Sequence, residues 1–62
     1  MRARRREIMK GIYVHKLDGR VIEIQALGDK YVAGWSDAEG TQVICVRAGF
    51  LQRWHWLGPV ES

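Results

Sequence analysis

His15, Cys45 and His55 are residue types that can hold zinc, and a cysteine beside a histidine can act as nucleophile and base. Structural zinc takes four ligands, usually in closely spaced pairs. No such pair occurs in this chain, so no metal site is expected. Cys45 lies in the apolar run Val43-Ile44-Cys45-Val46, where a thiol serves as a small core residue. Asp18, Asp29, Asp37 and Glu39 fall in turn segments, where Asp has a backbone role. Gly28 lacks the Gly-Lys-Ser/Thr that would complete a phosphate loop. Paired-carboxylate catalysis also needs a cleft, and 62 residues are too few to build one around it. No catalytic residue, no cofactor and no enzyme activity are expected.

Aromatic and basic residues are more informative. Tyr13, Tyr31, Trp35, Trp54 and Trp56 are five large rings in a short chain. Each indole N–H needs a partner, so some rings must lie at a rim or an interface. Interleaved with Lys30, Arg47 and Arg53, exposed rings would form a stacking platform for single-stranded nucleic acid. The competing reading is that the rings cap the core and hold a dimer contact. In Arg53-Trp54-His55-Trp56, strand alternation puts both Trp on one face and Arg53 and His55 on the other.

The charge is unevenly placed. The formal net charge is +3, and the first six residues carry Arg2, Arg4, Arg5 and Arg6. Residues 7–62 therefore carry six basic and seven acidic side chains and sum to −1. An Arg-rich arm can contact phosphates and make binding salt-sensitive. The alternative is a solvated terminus with no specific contact. Met9 is a second candidate for the start of the chain. No apolar region follows the arm as it would in a secretory signal. Uncharged runs such as residues 41–46 fall far short of the ~20 apolar residues that a membrane span needs. With one unpaired cysteine, the expectation is a cytoplasmic protein with no membrane association.

These residues need elements to position them. A hydrophobic content of 47% with a single Pro excludes a disordered chain, and one Cys excludes an internal disulfide framework. Residues 1–9 read as a basic arm or short helix stopped by Gly11, and residues 10–62 as one small domain. Strands are expected over residues 12–17, 20–27, 30–36 and 41–47, separated by Asp18-Gly19, Gly28-Asp29 and a polar loop over 36–40. Asp18-Gly19 implies a tight hairpin in which both turn positions take positive φ. Gly34 within the third strand implies a bend or bulge. Phe50, Trp54 and Leu57 fit one helical face, while Trp54 and Trp56 alternate as in a strand; the preferred reading of the two is one helical turn over 49–52 and a fifth strand over 53–57. Five short antiparallel strands can close into a small barrel, which removes sheet edges. Its expected core is Ile12, Val14, Ile22, Ile24, Val32, Ile44, Val46 and Leu51, with the aromatic rings at the ends.

This order resembles the Sm-like small β-barrels. Tyr31-Val32-Ala33-Gly34-Trp35, a charged turn, Val43-Ile44-Cys45-Val46-Arg47 and the Phe50-Leu51 turn further resemble the second half of a WYL domain. Ile12-Tyr13, Asp18-Gly19 and Arg20-Val21-Ile22 resemble its opening hairpin. The likeness covers roughly residues 12–54, on hydrophobic strands and glycine turns that many small barrels share. Lys30 stands where that family has Trp, Val32 where it has Leu, and its Arg-rich strand ending is reduced to Arg47, with Arg53 beyond the turn. The family implies a sensor that binds nucleic acid or nucleotides and regulates transcription, and only Tyr31, Arg47 and Arg53 carry that over. The ring-forming second motif of Sm proteins is not evident.

Two classes of function follow. The first is a small nucleic-acid-binding regulatory accessory using Arg2, Arg4, Arg5, Arg6, Tyr31, Trp35, Arg47, Arg53, Trp54 and Trp56. The second is a protein-interaction module, such as a phage- or plasmid-type adaptor or inhibitor of a host protein. A variant of the second is a homo-oligomer joined through the Trp-rich C-terminal segment.

Overall fold

The computed structural model describes residues 7–60. Five strands form one antiparallel sheet: β1 (Gly11–His15), β2 (Val21–Leu27), β3 (Tyr31–Ser36), β4 (Thr41–Val46) and β5 (Trp54–Gly58). A four-residue helix, α1 (Phe50–Arg53), lies between β4 and β5. The spatial order is β4-β3-β2-β1-β5. The mainly-β class, the strand order along the chain and the helical turn therefore stand as the sequence implies. Closure does not. β4 pairs only with β3, and β5 only with β1, so the sheet is open and keeps two edges. Residues 7–9 are not helical, and residues 1–6, which carry the rest of the expected arm or helix, lie outside the described residues.

Local chemistry places the strands. The β1–β2 hairpin forms around Asp18-Gly19, but with a longer loop than a two-residue turn. His15 N–H donates to Arg20 O at 2.8 Å and Gly19 N–H to His15 O at 3.0 Å. Only Gly19 has positive φ, at 77°, so Asp18 does not take the conformation expected of it. Instead Asp18 accepts the Arg20 backbone N–H and its Nε, each at 3.0 Å. Those bonds hold the Asp18 carboxyl below its usual range.

Gly34 fulfils its expectation on the neighbouring strand. The β2–β3 register shifts between Ile24 and Ala26, making Gln25 the extra residue opposite Gly34 and Ala33. A Cβ at position 34 would collide with the Glu23 carbonyl, so the two backbones approach here as only Gly permits.

The core lies on one face of the sheet. Tyr13, Ile22, Ile24, Val32, Phe50 and Trp54 are buried together with Ile8, and Val43, Cys45, Leu51 and Trp56 pack against them. Phe50 is the centre of the aromatic group. Its ring meets Tyr13 edge-on at 4.9 Å and stacks on Trp54 at 5.7 Å. Ile22, Ile24 and Val32 are core residues as expected. Ile12 and Val14 are only half-buried, because β1 turns Tyr13 inward and its neighbours outward. Ile44 and Val46 are exposed, because β4 turns Val43 and Cys45 inward. Leu51 is half-buried. The inner face is covered by Phe50, Trp54 and Ile8 in place of sheet closure.

Candidate nucleic-acid interface

The expected aromatic set is divided between the two faces of the sheet. Trp54 belongs to the core, with the His15 ring edge-on at 4.6 Å and the Arg20 guanidinium 5.6 Å from its centroid. Trp56 is on the same side of β5 and half-buried. Its indole nitrogen is buried without a partner among the described residues. Both Trp do share a face, as alternation implies, but that face is inward. Tyr31 and Trp35 point the other way and remain accessible, 57% and 40% exposed.

Register explains the outer face. Tyr31 pairs with Val46, Ala33 with Ile44 and Trp35 with Gln42 on one side, while Glu23 of β2 flanks Trp35 on the other. Directly opposed residues in an antiparallel pair point to the same face. Tyr31, Ala33, Trp35, Ile44 and Val46 therefore form one continuous patch, bordered by Gln42 and by the Glu23 carboxylate beside Trp35.

Tyr31 also borders an open groove of about 770 Å³ between the β2–β3 turn, the end of β4 and α1. Asp29, Lys30, Val46, Arg47 and Gln52 line it with Tyr31, as do Glu7 and Ile8. Arg47 stands between turn and helix. Its backbone N–H donates to Lys30 O at 2.8 Å and its Nη1 to Gly28 O at 2.6 Å. These bonds hold the turn, and so the Tyr31 ring, at the groove. The Arg53 Nη2 donates to Ala48 O at 3.4 Å, and Arg53 is not among the groove residues. Tyr31 and Arg47 are thus brought together; Trp35 is farther along β3, and Arg53, Trp54 and Trp56 are elsewhere. Arg2, Arg4, Arg5 and Arg6 lie outside the described residues; Glu7, the first described residue, lines the groove.

The remaining titratable candidates are separate from this groove. Cys45 packs beneath β4, and burial raises its thiol above the usual value, against a smaller opposing pull from Arg53 and Arg20. Among the described residues no three of His, Cys, Asp and Glu gather as a metal-holding group, and no helix is long and apolar enough to cross a membrane. Lining by Glu7 and Ile8 is the feature that sequence reasoning missed. An apolar residue next to an Arg run was its only signal. No protein-family model, no curated protein and no solved structure matches this chain.

Proposed function

We propose that this protein is a small non-enzymatic binding protein that takes single-stranded nucleic acid at the Tyr31 groove. The observation carrying this reading is the convergence of an exposed ring, Tyr31, with Lys30 and Arg47 where residue 7 joins the Arg-rich arm. Tyr31 supplies the flat apolar face on which a base stacks, and Trp35 offers a second ring on the same side of β3. Lys30, Arg47 and the arm supply phosphate contacts. Because residues 7–62 sum to −1, most of the electrostatic attraction comes from Arg2, Arg4, Arg5 and Arg6. A regulatory role, as the WYL and Sm-like resemblance implies, is part of the same proposal, and so is the cytoplasmic location that the unpaired Cys45 suggests.

Fluorescence polarisation with labelled oligo-dT and oligo-U, at low and moderate salt, tests it. Stacking is worth about 1–3 kcal/mol per base, so Tyr31→Ala should weaken binding about 5- to 150-fold. Removing residues 1–6 should weaken binding and flatten its salt dependence. Binding that ignores Tyr31→Ala but vanishes with residues 1–6 would reduce the activity to a charged arm. Absence of binding at low salt would leave the second reading, a protein partner docked on the outer face. That reading rests on the uncharged patch of Ile44, Val46, Ala33 and Trp35, and it predicts that Trp35→Ala, with the groove untouched, abolishes association.

A further inference from the structure

The geometry points to a second interaction surface, adjoining the groove at Val46 and Arg47: the free edge of β4 is built to pair with β4 of a second copy of this chain, across a two-fold axis at Ile44. Arg47 N–H donates to Lys30 O, continuing the register in which Tyr31 faces Val46 and Val32 faces Cys45. Antiparallel partners alternate between pairs that exchange both backbone bonds and pairs that exchange none. The Arg47–Lys30 bond fixes the phase of the ladder: Val32–Cys45, Gly34–Val43 and Ser36–Thr41 are the bonded pairs between β3 and β4. The N–H and C=O groups of Gln42, Ile44 and Val46 consequently point away from β3, at an edge that no strand covers.

Those three residues define the register of a partner strand. With the axis at Ile44, Ile44 faces its own counterpart and Gln42 faces Val46 of the other copy. Each of these pairs exchanges both backbone bonds, so every outward group of the strand is used. Parity also agrees. Gln42, Ile44 and Val46 all point to the outer face, and opposed residues must share a face.

Charge selects a second copy as the occupant. Antiparallel self-pairing sets a strand's central residues against themselves, so any central charge would meet its like. β4 has no charged residue from Thr41 to Val46, and Arg47 would fall opposite Thr41 instead of another Arg47. None of the usual edge protections is present: no Lys, no Pro and no inward charge. The other edge is less available. Trp54 N–H is already bonded to Phe50 O, and Pro59, which has no N–H, follows Gly58. The Trp-rich strand contributes core rings, and β4 contributes the joint. Paired in this way, two sheets would form one continuous outer face.

Disulfide trapping with sedimentation velocity provides the test, without nucleic acid. In Ile44→Cys/Cys45→Ser the two Cα atoms at the axis would be about 5.5 Å apart, within the span a disulfide bridges. Mild oxidation should give a species of twice 7.2 kDa in high yield. In Gln42→Cys/Cys45→Ser the equivalent separation is about 14 Å, and little cross-linking should occur. Ile44→Lys, at a position already 66% exposed, should keep the thermal transition of the fold and sediment as a monomer. The inference is overturned by a monomer at all concentrations, by equal trapping at 42 and 44, by larger open assemblies, or by dimers that survive Ile44→Lys.

Discussion

Tyr13 was expected only among rings at the ends of a core, yet it is 1% exposed and central to it. Its hydroxyl accepts the Met9 N–H at 2.9 Å and donates to Met9 O at 2.7 Å. A Tyr that reaches a backbone partner can be buried without leaving its O–H unsatisfied. Alternation alone could not choose between Tyr13 and its neighbours Ile12 and Val14, because all three are apolar enough for the core. Burial of the ring pushes the phenol above its usual value, with the Met9 bond opposing. Above about pH 10 the unfolded chain releases this proton before the folded chain does. The stability that the neutral phenol contributes is therefore complete below pH 10 and is lost as pH rises through the folded value. Thermal melts from pH 8 to 11.5 should show the melting point falling above pH 10, and Tyr13→Phe should make that fall shallower. An equal fall in both proteins would show that Tyr13 is not its source.

At the scale of elements, turn residues made the strand order readable, and apolar content on both faces hid the strand phases. Gly28-Asp29, Gly34 and the 36–40 loop each punctuate the sheet where the sequence implies. β4 differs: Val43, Ile44, Cys45 and Val46 could fill a core from either side. Its phase is set by the β3 register, in which Gly34 and Val32 turn inward opposite Val43 and Cys45. α1 shows how a short element can hold the fold. Four residues cannot form a stable helix alone. Phe50 secures it, fully buried between the Tyr13 and Trp54 rings. Phe→Ala in a core costs about 3–5 kcal/mol. A chain of this length has about 3–9 kcal/mol in total. Phe50→Ala should therefore abolish or nearly abolish cooperative unfolding in a near-UV circular dichroism melt, while Phe50→Leu, which retains apolar volume, should still melt cooperatively. Cooperative melting of the Ala variant near the parent temperature would show that the aromatic group is peripheral.

For the whole molecule, sheet closure was the expectation that failed, and the N-terminal segment shows why closure is not needed. A five-stranded sheet must cover one apolar face, and pairing its two edges is only one solution. Here Ile8 packs into the core at 8% exposure, and Met9 binds the Tyr13 hydroxyl on both sides of its peptide. Within the segment that reads as an arm or helix, Ile8 belongs to the core and Met9 holds the Tyr13 hydroxyl, while residues 1–6 lie outside the described residues. Nothing in the composition of Glu7-Ile8-Met9 marks Ile8 as a core residue, because its burial depends on how the sheet and α1 pack. A chain started at Met9 would lose Ile8 and its burial, worth about 1.5–3 kcal/mol. Removing residues 1–6 would leave those contacts in place. At 1 kcal/mol per roughly 4–8 °C for a domain this small, the two truncations should separate clearly. Removal of 1–6 should shift the melting point by no more than a few degrees, and removal of 1–8 should lower it by about 6–24 °C. Nucleic-acid affinity should respond in the opposite order, falling with the arginines and falling little further with Ile8 at a temperature where both proteins are folded. Equal melting points would place Ile8 outside the core and return the groove to an open surface.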